Sequence, residues 1–128
     1  MVAGLIFNNQ GKILVALRPP HVPQGNLWEF PGGKVEAGET GEQALKRELK
    51  EEVGITVIAA KPFQQYVHQY PDKKLFLDVW HVEKFSGEAC ARESQQIVTW
   101  VSLSELKQLN FPEANHSLIL ALQDYLDD

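Results

Sequence analysis

The 128-residue chain carries 12 Lys and Arg against 17 Asp and Glu, a net charge of -5 that argues against broad electrostatic binding to duplex nucleic acid. Hydrophobic residues at 44% and charged residues at 23% exclude a disordered or fibrous chain, and the length suits a single domain, residues 1–128, that needs no disulfide or structural metal. The lone cysteine, Cys90, excludes an intrachain disulfide framework, and no apolar run approaches membrane-spanning length, so the expected address is the cytoplasm with no membrane partner.

In chain order, "VAGLIF" (2–7) and "ILVALR" (13–18) are apolar runs separated by the turn-forming "NNQGK", which predicts a β-hairpin. A proline-rich loop follows, then a short apolar segment around "LWEF" (27–30), and "PGG" (31–33) predicts a turn that brings backbone close to a ligand. From Gly41 to Val53 the period changes. Leu45, Leu49 and Val53 form an i, i+4, i+8 ridge suited to packing a helix on a sheet, and Gly54 supplies the stop. "FQQYVHQY" (63–70) and "KLFLDVWHVEKF" (74–85) read as strands around the "PDKK" turn, and "IVTWV" (97–101) as another, with a loop between Phe85 and Gln96. Ser102 and Glu105 form a capping box for a short helix, and Leu118, Ile119, Leu122 and Leu126 mark the buried face of a last one. Strands mixed with helices predict an α/β fold, a mixed sheet covered on its faces.

The stretch from Pro31 to Ile55 concentrates glutamate, with Glu48, Glu51 and Glu52 near its end. On a helix these three project within one arc of roughly 100°, beside the leucine ridge and read as exposed. Like charges at that spacing cost a few tenths of a kcal/mol per pair, so the edge is either a solvated acidic face or a cation site. Hard oxygen ligands without neighbouring His or Cys suit Mg²⁺, with Mn²⁺ as an alternative, and not Zn²⁺. The alternating Asp and Asn of an EF-hand loop and the paired histidines of a zinc helix are both missing.

Gly33, five residues, Glu39, seven residues, Arg47-Glu48-Leu49, one residue, Glu51-Glu52, one residue, Gly54-Ile55 resembles an uninterrupted Nudix box. Seven fixed identities arise by chance on the order of 10⁻⁸ per starting point. The flanking "LWEFPGGKVEAGET" and "FPEAN" extend the resemblance over nearly the whole chain, towards the MutT-type branch of the family. That resemblance implies an α/β/α sandwich around a mixed sheet, with the box as a loop-helix-loop. It also implies a metal-dependent hydrolase of nucleoside triphosphates with a small-molecule nucleotide as partner, here 8-oxo-dGTP. A monomer is expected.

By the same resemblance Glu48, Glu51 and Glu52 are metal ligands, the Gly33 carbonyl is a further contact, and Glu93 adds a carboxylate from the loop before "IVTW". Either Glu48 or Glu93 activates the water. Arg47 orients the carboxylates, Glu39 braces the loop and Gly54 ends the helix. Arg18 and Lys34 are candidates for the substrate phosphates and Phe30 for the base. Asn115 stands where the MutT pattern reads the edge of an oxidised guanine, although its place before a helical pattern also suits an N-cap. Lys73 replaces the arginine expected in "YPDKK", and Lys cannot make a forked contact. Pro71 lies sixteen residues after Ile55, a spacing shared with ADP-ribose hydrolases that leaves the choice open. Hydrolysis of a modified pyrimidine triphosphate or ADP-ribose, or non-catalytic nucleotide sensing, are the competing readings. Histidines 21, 68, 81 and 116 lack paired metal spacing.

Overall fold

The computed structural model describes residues 1–93, 95 and 97–127, the side chains of 126 and 127 excepted. Among these residues seven strands and three helices follow one another as β1 (Val2–Ile6), β2 (Ile13–Leu17), β3 (Trp28–Glu29), β4 (Gly32–Gly33), α1 (Gly41–Val53), β5 (Thr56–Gln69), β6 (Lys74–Ser86), β7 (Ile97–Val101), α2 (Leu103–Leu106) and α3 (His116–Asp127). A 3-10 turn, Glu113–Asn115, leads into α3.

The strands form a four-stranded sheet of order β4-β1-β6-β5 and a three-stranded sheet of order β3-β2-β7. β1 and β6 run parallel while the other pairs are antiparallel, so the sheet is mixed. Among the described residues an antiparallel bridge, Phe7 to Ile13, joins the two sheets. The expected β1–β2 hairpin is therefore corrected. Both strands are buried almost throughout, so each needs cover on two faces, and splaying apart lets β1 pair with β6 and β2 with β7. "PGG" does turn the chain, with a bend at Pro31 between β3 and β4, and then runs extended, Gly32 and Gly33 pairing with Ala3 and Val2.

Alternation along these strands divides the core. Leu5, Val15 and Val79 pack with Leu106, Leu118 and Leu122 on one face, whereas Ile6, Leu14 and Val82 pack with Leu45, Leu49 and Val53 on the other. Helices thus cover both faces, an α/β/α sandwich. Leu118 and Leu122 are buried as expected and Ile119 is half-buried, while Leu126 lies outside the described side chains.

β5 starts at Thr56, well before the expected Phe63, and contains Pro62. A proline is tolerated there because β5 is the edge strand, and register shifts on both sides of Pro62 interrupt the ladder. β6 then crosses to β7 through the segment that carries Glu93.

Candidate active site

Helix α1 is started by Thr40, whose Oγ1 accepts from Gln43 N at 3.1 Å while Gln43 Oε1 accepts from Thr40 N at 2.9 Å. Ala44, Leu45, Leu49 and Val53 are fully buried, which fixes the rotation of the helix and turns its glutamate edge to the ends of β3 and β4. Gly54 ends it at φ 76°, a left-handed conformation that suits glycine, with its N–H donating to Leu49 O.

Arg47 is the hub of this edge. Its guanidinium grips Glu39 through both oxygens, Nε to Oε2 at 2.7 Å and Nη2 to Oε1 at 2.9 Å. Nη1 donates to Glu48 at 2.9 Å and Glu51 at 3.3 Å, and Nη2 to the Lys34 carbonyl at 2.9 Å. The fork thus joins the helix to the loop before it. Glu39 also accepts from Glu36 N at 2.9 Å, and the Arg47 bonds, aided by that one, hold its carboxyl down at about 2. The hydrogen bonds to Glu39 and Glu48 in turn raise the Arg47 pKa.

Oxygens of Glu48, Glu52 and Glu93 lie within 4.8 Å of one another. Glu51 stands outside this group, more than half exposed and paired with Arg47. Glu52 is buried at 7% exposure, which corrects the expectation of an exposed carboxylate: helical spacing gives its direction but not what β3 and the β6–β7 segment place over it. Its Oε1 has no hydrogen-bond partner among the described residues. Burial, reinforced by the charge of Glu29, pushes its carboxyl up to about 8. Burial likewise raises Glu48, against the pull of Arg47.

Glu93 reaches the cluster because its loop is pinned to the last carbonyls of α1. Cys90 N donates to Val53 O at 3.0 Å and Arg92 N to Glu52 O at 3.1 Å. The Gln95 side chain completes the tie, its Nε2 donating to Glu52 O at 3.2 Å and its Oε1 accepting from Glu93 N at 3.1 Å. These contacts satisfy carbonyls that a helix end leaves open. Sequence reasoning missed Gln95, and no spacing signal marks it. At Gly33 an added Cβ would overlap the Glu48 carboxyl and displace it, so the glycine leaves room for that carboxyl in the cluster.

An adjoining cavity of ≈ 400 Å³ is lined by Phe30, Tyr70, Lys73, Leu75, Leu77 and Asn115, among others. It shares Arg18, Glu29, Gly32 and Lys34 with the acidic end of the cleft, which holds Gly33, Glu48, Glu52 and Glu93. Phe30 is buried and stacked on Phe111 at 5.1 Å, a member of the core cluster that also lines the cavity. Arg18 donates to Glu29 at 3.0 Å and to the Pro23 carbonyl at 2.8 and 3.1 Å. Lys34 is exposed at the junction. Asn115 belongs to the 3-10 turn that runs straight into α3, so the N-cap reading fails, and no hydrogen bond to its half-buried side chain forms among the described residues.

A NUDIX domain model matches residues 2–121. The chain belongs to the Nudix family. This Nudix chain is 40% identical to the Escherichia coli protein named 8-oxo-dGTP diphosphatase over 96% of its own length and 95% of that protein's. It is 39% identical to the E. coli CTP pyrophosphohydrolase, over 94% of the chain and 88% of the relative. A solved structure from work on MutT of Aliivibrio salmonicida and Vibrio cholerae superposes with a TM-score of 0.81 at 45% identity, covering 94% of this chain and 92% of the other. Among the described residues no helix is long and apolar enough to cross a membrane.

The donor set of this Nudix site fits a hard divalent cation. Three carboxylates converge and one buried oxygen lacks a hydrogen-bond partner among the described residues. Without the cation the folded state holds a proton on Glu52 that an unfolded chain, with the ordinary value of 4.5, has released. This contribution to stability is fully present below pH 4.5 and is lost as pH rises through about 8. The melting temperature of the metal-free protein is therefore expected to fall across that window, and added Mg²⁺ to restore it most at the alkaline end. A metal-free melting temperature that climbs steadily from pH 5 to about 8.5 would refute the assignment.

Proposed function

We propose that the protein is a Mg²⁺-dependent nucleoside triphosphate pyrophosphohydrolase that converts 8-oxo-dGTP to 8-oxo-dGMP and pyrophosphate, removing a mutagenic precursor from the nucleotide pool. The observation that carries this reading is the two-ended cleft, with a base-sized apolar cavity bearing Asn115 at one end and the acidic cluster at the other. Arg18 and Lys34 lie where the two ends join, the place of the phosphates. The near-full-length relatives named 8-oxo-dGTP diphosphatase support the same substrate.

Glu48, Glu52 and Glu93 would hold the cation, with Glu51 from the helix edge and the Gly33 carbonyl as further contacts. Bound there, it supplies neutralisation of phosphate charge and acidifies water at neutral pH. Glu48 accepts the proton of the attacking water, its raised pKa bringing it nearer the working pH and Arg47 fixing its orientation. The water oxygen bonds to one phosphorus of the anhydride between the α- and β-phosphates as that bridge breaks, giving the nucleoside monophosphate and pyrophosphate. Arg47 acts through Glu39 and Glu48 as a positioning residue. The Asn115 amide, which both donates and accepts, meets the edge of the oxidised purine, and Phe30 contacts its ring.

The chain acts as a cytoplasmic monomer on a small nucleotide, without stable nucleic-acid binding, in keeping with its net charge of -5. Two observations favour a second substrate class: identity to the CTP pyrophosphohydrolase is nearly as high, and Lys73 lines the base cavity. Mg²⁺-dependent pyrophosphate release from 8-oxo-dGTP, dGTP, CTP and ADP-ribose, compared as kcat/KM, decides between them. A ratio well above ten for 8-oxo-dGTP over dGTP is the expected result. Preference for CTP would overturn the oxidised-purine reading but keep the hydrolytic one.

A further inference from the structure

The turn that carries Asn115 has a weak start. Pro112 precedes it and offers no side-chain cap, while Asn115 N donates to Pro112 O at 2.9 Å. The next N–H back, that of Ala114, is one of the donors a helical turn leaves without a backbone acceptor. Here it is met from 44 residues away. The Tyr70 hydroxyl accepts from Ala114 N at 3.2 Å, and Ala114 itself is buried.

Tyr70 can do this because its own position is fixed. It closes the β5–β6 hairpin, its N–H donating to Lys73 O at 2.8 Å, while Gln69 Nε2 donates to the carbonyls of Tyr70 and Lys73 at 2.6 and 2.9 Å. The His68 ring meets the Tyr70 ring at 4.6 Å, edge to face, and His68 Nε2 lies 4.0 Å from Glu113 Oε2 on the same turn. The Lys73 ammonium stands 5.8 Å from the Tyr70 ring centre. One hairpin tip, whose Tyr70 and Lys73 line the base cavity together with Asn115, therefore holds the Asn115 turn.

We propose that Tyr70 is a positioning residue for base selection: its hydroxyl fixes the Ala114–Asn115 backbone and so aims the Asn115 amide at the base edge. The inference rests on the reading of Asn115 as the group that recognises the base. It assigns the hairpin tip a part in specificity separate from hydrolysis at the acidic end.

Tyr70→Phe deletes one oxygen and keeps the ring. The expected result is a fall of roughly 3- to 10-fold in the kcat/KM ratio of 8-oxo-dGTP to dGTP, carried by KM and not kcat, as for loss of one hydrogen bond. The cycle with Asn115→Ala separates positioning from general loosening, because residues acting through one another are not additive. The double variant should discriminate no worse than Asn115→Ala alone. Additive losses, or an unchanged ratio in Tyr70→Phe, would overturn the proposal. Amide exchange at Ala114 provides a readout free of activity: it should quicken in Tyr70→Phe, and an unchanged rate would overturn the tie itself. If the wild type prefers another nucleotide, the 8-oxo-dGTP reading fails, and the same cycle on the preferred base, against its nearest competitor, still supports or overturns the Tyr70 tie.

Discussion

Glu52→Gln is expected to remove metal-dependent turnover, lowering kcat on the order of 10³-fold, because a cation at the scissile phosphates contributes several kcal/mol to transition-state stabilisation. The substitution keeps the shape of the side chain and deletes its charge. Its effect on stability should run the other way. In the metal-free protein Glu52 is buried beside Glu48 and Glu93, its Oε1 without a hydrogen bond among the described residues, so the ionised carboxylate is a burden above about pH 8. An amide carries no such charge. The variant should therefore melt higher than the wild type at alkaline pH without metal, lose the decline between pH 4.5 and about 8, and bind Mn²⁺ more weakly by titration. A folded variant with full activity and the wild-type metal dependence would remove Glu52 from the ligand set.

That contrast also marks where sequence reading stops. The leucine ridge and Gly54 set both the span and the facing of α1, because a 3.6-residue period encodes direction around a helix. It encodes nothing about what lies opposite. Glu52 therefore reads as one of three exposed acids, while its burial depends on β3 and the β6–β7 segment, remote in sequence. Pairing partners were hidden for the same reason. The turn "NNQGK" identifies two strands meeting at a reversal, but their divergence into separate sheets follows from the covering of both faces of each strand. Glu93 was reachable only through the family resemblance. Gln95 and Tyr70 were not reachable, because their decisive hydrogen bonds span 43 and 44 residues and neither alters a periodic pattern.

Arg47→Ala should lower kcat/KM by about 10- to 100-fold with no loss of a metal ligand, the range typical of removing a group that orients ligands from behind. The guanidinium is the one cation placed between Glu39, Glu48 and Glu51 by hydrogen bonds among the described residues. Without it Glu48 keeps the burial and the neighbouring charges of Glu51 and Glu93 that raise its pKa and loses the contact that lowers it. Cation binding should then require a higher pH, shifting the acid limb of the pH–rate profile upward. Acid stability gives an independent check. Glu39, held at about 2 by Arg47, contributes stability that is present above pH 4.5 and lost as pH falls towards 2. Arg47→Ala should flatten that acid-side loss while lowering the melting temperature at neutral pH. Arg47→Lys should resemble alanine more than arginine, since one ammonium cannot grip both oxygens of Glu39 and reach Glu48 and the Lys34 carbonyl as well. A lysine variant with wild-type activity would show that charge alone suffices, and that the fork geometry plays no part in holding the catalytic edge.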